Sequence, residues 1–139
     1  MKNVFIIGVV VAALLFGGAV IWSQWLEDND PNIIARDGLH THPELTIYVK
    51  GEKIEIPQNI GLGAVHMPMH THNDLPVIHL EFPGIVKSGD VVLEQFFKVW
   101  GKSMDSFGTN MTMTVNGEEN TEYGSYQMKN GDKIELRYE

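Results

Sequence analysis

"SGDVVLEQFFKVWGK", residues 88–102, decides the fold class. Leu93, Phe96, Phe97 and Trp100 fall at i, i+3, i+4 and i+7, so the spacing predicts one apolar stripe on an amphipathic helix. Asp90 or Ser88 is placed to cap its start, Glu94 suits the early turns, and Gly101 suits the end. A stripe with this spacing reads as core packing ahead of a ligand-binding face. On either side of it the apolar period changes to two. Upstream, in "ELTIYVKGEKIEIP" (44–57), Leu45, Ile47 and Val49 alternate with Thr46, Tyr48 and Lys50. A turn at Gly51 follows, and Ile54 and Ile56 resume the alternation, which makes a hairpin. "LPVIHLEF" (75–82) is a further strand with Ile78, Leu80 and Phe82 on one face and Val77, His79 and Glu81 on the other. Downstream, Met111, Met113 and Val115 run into an Asn116-Gly117 turn, and Ile134, Leu136 and Tyr138 alternate in a last strand. Strands around a single helix make an α+β domain.

The start of the chain is of another kind. Val4 to Trp25 are 22 residues without a charge, long enough as a helix to span a hydrocarbon layer of roughly 30 Å. Trp22 and Trp25 stand where an interfacial aromatic belt is expected. Lys2 precedes the run and "EDND" (27–30) follows it, which orients the N-terminus to the cytoplasm and the remainder outside. The run continues through Ile21 into tryptophans, which favours a retained anchor over a cleaved signal peptide. The expected organisation is a transmembrane signal-anchor helix over 1–26, a linker over 27–38 and an extracytoplasmic domain over 39–139.

All 18 acidic residues and nine of the ten basic ones follow the apolar run. That balance argues against nucleic acid as a partner and suits cations. There is no cysteine, which removes thiolate ligands, thiol redox chemistry and disulfide staples.

All six histidines, His40, His42, His66, His70, His72 and His79, lie within 40 residues of one another. They sit in "HTHPE" (40–44), "HMPMHTHND" (66–74) and "VIHLE" (77–81). In an extended strand His-x-His places both imidazoles on one side. Two such pairs on adjacent strands, with His79 on a third, bring four or five nitrogens toward one point, enough for a metal ion without a carboxylate. A single histidine is ordinarily a surface or hydrogen-bonded residue, and His66 keeps that reading. Met67 and Met69 are either soft copper ligands or apolar cover, and Asp74 and Glu81 are either ligands or partners that orient a ligating imidazole. An all-imidazole site suits zinc, copper or nickel, with copper favoured by the affinity order and zinc next to it.

The order hairpin, inserted strand region, helix, two strands resembles the ubiquitin-like β-grasp. The tail "VNGE…MKNGDKIEL" is similar to the ending of its small sulfur-carrier members. Those end in Gly-Gly, whereas this chain ends Arg137-Tyr138-Glu139, which speaks against a carrier role. The resemblance implies a mixed sheet packed on one helix, with a His-rich strand region inserted. H-x-H-P at 40–43, H-T-H-N-D at 70–74, I-H-L-E at 78–81 and Q-F-F-x-x-W-G at 95–101 together resemble a family of small membrane-anchored extracytoplasmic domains of archaea and bacteria. That family brings no activity with it. It implies His40, His42, His70, His72 and His79 as the residues of interest.

Three functions fit these readings. The first is a membrane-anchored module for metal acquisition, transfer or service to a membrane metalloenzyme complex. The second is a structural or interaction domain docking a partner protein at the membrane. The third is a small metalloenzyme, for which no H-E-x-x-H or comparable signature is present.

Overall fold

The computed structural model describes residues 2–139. The chain forms two compact units, Met1–Pro31 and Asn32–Glu139.

The first unit is helix α1 (Lys2–Asp28), of which Ile6–Glu27 is long and apolar enough to cross a membrane. Large apolar side chains along it, Leu14, Phe16 and Trp22 among them, are exposed. A helix of this length and apolar composition is what a membrane span or a signal sequence has.

The second unit is α+β. Its main sheet holds β3 (Glu44–Val49), β4 (Glu52–Ile54), β8 (Met111–Val115), β9 (Glu118–Glu119) and β10 (Lys133–Tyr138), in the order β4-β3-β10-β8-β9. The central pair, β3 and β10, is parallel, and the other pairings are antiparallel. The alternation in the sequence becomes burial here: Leu45, Ile47, Met113, Ile134, Leu136 and Tyr138 are all closed off from solvent. Helix α2 (Leu93–Trp100) contributes Leu93, Phe96 and Phe97 to the same core. Trp100 carries the contact onward through Phe107 to Tyr138, with ring centroids 5.7 Å apart at both steps.

Helix α2 ends at Gly101 in the left-handed conformation, as the sequence suggests, but starts later. Val92 is held extended by a bridge to Gln127, so the helix cannot begin at Ser88 or Asp90. Asp90 instead closes the preceding turn, accepting from the backbone N–H of Lys87 at 2.8 Å.

Two smaller sheets carry the inserted region. β2 (Leu39–Thr41), β6 (His79–Phe82) and β5 (Met69–His70) form an antiparallel sheet with β6 in the middle. The strand expected over 75–82 is therefore only its second half. Residues 76–78 turn aside to bond Pro43 and Leu45, with Leu45 N–H on the Pro76 carbonyl at 2.9 Å and Ile78 N–H on the Pro43 carbonyl at 2.8 Å. β1 (Ile33–Ala35) pairs with β7 (Val86–Lys87), so the segment expected as linker over 27–38 is structured, with α1 running to Asp28 and a strand at 33–35.

Candidate metal centre

The three-stranded sheet gathers the histidines. On β6 the alternation turns Leu80 inward, where it is fully buried, and sends His79 and Glu81 to the other face. His70 of β5 stands opposite His79, and His40 of β2 stands opposite Glu81. His42 and His72 follow two residues after His40 and His70. The two His-x-His segments are thus not adjacent to one another, because β6 runs between them and His79 is central. Its ring centroid lies 4.8 Å from those of His42 and His72 and 5.4 Å from that of His70.

Donor atoms converge in two overlapping groups. One nitrogen each from His40, His42 and His79 and an oxygen of Glu81 lie within 4.8 Å of one another, and so do nitrogens of His70, His72 and His79. His40 Nε2 is 3.1 Å from His42 Nε2. Around a tetrahedral ion with nitrogens at the usual distance, neighbouring ligand atoms are about 3.3 Å apart, so this pair is already at ligand spacing. Glu81 Oε1 lies 3.3 Å from His40 Nε2, 3.6 Å from His79 Nδ1 and 4.0 Å from His70 Nε2.

The two inner imidazoles have their tautomers set by hydrogen bonds. His79 Nε2 lies 3.0 and 3.2 Å from the two carboxylate oxygens of Asp74, so Nε2 carries the proton and donates. That leaves a lone pair on Nδ1, which is buried and has no hydrogen-bond partner. His70 donates from Nδ1 to the Met67 carbonyl at 3.1 Å, leaving its Nε2 lone pair free. A ligating histidine is ordinarily backed by a carboxylate or carbonyl on its other nitrogen in this way. Burial lowers the pKa of His70 below its ordinary value, against the opposing pull of the Met67 carbonyl and of Glu81. The neutral form, the one that ligates, is favoured. For Asp74 a desolvation that would raise its pKa is outweighed by the His79 hydrogen bond, its own backbone N–H and the charges of His79 and His72, so it lies below the ordinary carboxylate value.

The neighbouring candidates divide. Met69 alternates with His70 and packs in the core at 2 % exposure, and Met67 is exposed and contributes its carbonyl. His66 is exposed, with its ring 6.2 Å from that of His70, and belongs to neither donor group. Asp74 and Glu81 both touch the cluster.

Three positioning residues have no metal-ligand signature and escape sequence reading. Thr71, fully buried between His70 and His72, donates from its hydroxyl to the Pro57 carbonyl at 2.9 Å and accepts from Ile60 N–H at 3.1 Å. Its own N–H and C=O bond Ile60 and Asn59, so four hydrogen bonds pin the segment. Asn130 accepts from His42 N–H at 2.9 Å and fixes the other pair. Gly61, at φ +74°, lies so close to the Met69 carbonyl that a Cβ would overlap it. Among the described residues one other buried side-chain atom, Thr41 Oγ1, has no partner, and the structure gives no reason for it.

No family model, no curated protein and no solved structure matches this chain.

Proposed function

We propose that this chain is a single-pass, membrane-anchored extracytoplasmic module that binds copper or zinc through His40, His42, His70, His72 and His79, for metal acquisition, transfer or supply to a membrane complex. The observation that carries the reading is the buried Nδ1 of His79, which has no hydrogen-bond partner, its charged neighbour Glu81 Oε1 standing 3.6 Å away, while Asp74 holds the other nitrogen. An unpaired buried acceptor costs about 1–3 kcal/mol, and a cation bound there removes that cost. Copper is preferred to zinc by the affinity order of imidazole sites. The anchor rests on the apolar span and the topology on Lys2 ahead of "EDND". We read the outer domain as β-grasp-like, supported by the parallel central pair and the strand order around one helix. Likeness of fold adds nothing to the functional argument.

Metal analysis of the full chain, purified in detergent without a His-tag, tests the proposal. The wild type is expected to hold copper or zinc, and a His70→Ala/His72→Ala double variant to hold much less. Equally negligible metal in both would end the reading.

A further inference from the structure

The cluster contains more donors than one four-coordinate ion uses, and they fall into two sets with different surroundings. The outer set, His40, His42 and Glu81, is the more open: the His40 side chain is 65 % exposed and that of Glu81 43 %, while His42 is half-buried. The inner set, His70 and His72, flanks the buried Thr71 staple; the His70 side chain is 6 % exposed and His72 is half-buried. His79 belongs to both sets. We propose, resting on the metal reading above, that the cluster is a two-position relay for one ion: an exposed receiving position at His40, His42 and Glu81, an inner holding position at His70 and His72, and His79 as the ligand common to both.

The geometry supplies the reasons. His79 has one lone pair to offer, on Nδ1, because Asp74 holds Nε2, so it serves one ion at a time and the positions are occupied in turn. The Glu81 oxygen reaches nitrogens of both halves, 3.3 Å to His40 and 4.0 Å to His70, and bridges the route between them. The step is ligand exchange alone. The ion keeps His79 while lone pairs of the outer imidazoles leave it and lone pairs of the inner imidazoles bind, with no net movement of electrons or protons. The ion's source is a weakly chelated copper or zinc complex in the surrounding solution, able to surrender its ligands one at a time to exposed imidazoles.

Copper(II) titration of the full-length chain in detergent, followed by electron paramagnetic resonance, tests this. The expected result is one equivalent bound by the wild type. A His40→Ala/His42→Ala variant and a His72→Ala variant are each expected to bind one equivalent as well, more weakly, with two different spectra that together account for the wild-type signal. Circular dichroism checks folding, and His42→Gln and His72→Gln replace any variant that does not fold. Two equivalents in the wild type overturn the relay, because the sites would then be independent. Loss of all binding in either folded variant also overturns it, because the donors would then form one indivisible site. A wild type that takes up no copper or zinc defeats the metal reading itself and is distinguishable from both.

Discussion

Asp74 offers the most discriminating single perturbation, because it touches the cluster through one contact and is otherwise at the surface, its side chain 49 % exposed. Its carboxylate holds His79 Nε2–H at 3.0 and 3.2 Å, which points the Nδ1 lone pair into the cluster. Removing a partner of this kind typically weakens metal affinity by about 10–100-fold. Asp74→Asn keeps a neutral oxygen that still accepts the hydrogen bond from Nε2–H, at about half the strength of a charged acceptor, so the loss should be near tenfold. Asp74→Ala keeps no acceptor, and the loss should be near 100-fold. At free metal 100 times the wild-type dissociation constant, bound metal adds about 2.7 kcal/mol to stability, and a tenfold weaker site adds about 1.4 kcal/mol. For a domain of this size the difference lowers the metal-loaded Tm by about 5–10 °C. The assay is a pair of melts, with metal and with chelator, alongside competition against a chromophoric chelator. The chelated proteins should melt close together, because Asp74 is exposed. Asn and Ala variants that bind metal as tightly as wild type would refute the claim that Asp74 orients His79.

Three further outcomes follow from the same geometry. Thr71→Val keeps the shape but leaves the Ile60 N–H and the Pro57 carbonyl without their hydroxyl partner, so stability should fall by about 1–3 kcal/mol in denaturant titration; an unchanged midpoint would show that the hydroxyl does not pin the segment. Gly61→Ala places a Cβ against the Met69 carbonyl at a positive φ and should destabilise by more than about 1 kcal/mol, read as a lower urea midpoint at unchanged slope. In chelator, acid should destabilise the domain from neutral pH downward. The folded pKa of His70 lies below its ordinary 6.5, so the unfolded chain binds more protons there. That stability is present above 6.5 and lost as pH falls through the folded value. Asp74, lowered from 3.8, adds a second loss in the same direction at lower pH. A His70→Gln variant should show a flatter dependence between pH 7.5 and 5, and slopes identical to wild type would exclude burial of His70 as the cause.

Four strands of the main sheet and helix α2 were legible in the sequence, because each is encoded by a local period; the two-residue β9, exposed at both positions, has no such period and was not. Leu93, Phe96 and Phe97 mark one helical face, and Ile134, Leu136 and Tyr138 one strand face, and the structure buries all six. The start of α2 was not legible, since it depends on Val92 being held by Gln127, 35 positions away in the chain. Nor was the length of β6, where residues 76–78 answer to Pro43 and Leu45.

The sequence by itself determined which residue types are available for a site: six imidazoles in three short segments, three carboxylates within them (Glu44, Asp74 and Glu81), and no thiol. It also determined, through the period of two, that His40 shares a face with His42 and that His79 shares one with Glu81. Only the tertiary structure decided that the segments meet, with His79 at the centre between two His-x-His strands. Only it revealed that Asp74 and the Met67 carbonyl choose which nitrogen of His79 and His70 stays free. Alternation is a property of one strand, whereas register between strands and the partner of a ring nitrogen depend on residues brought together from separate parts of the chain.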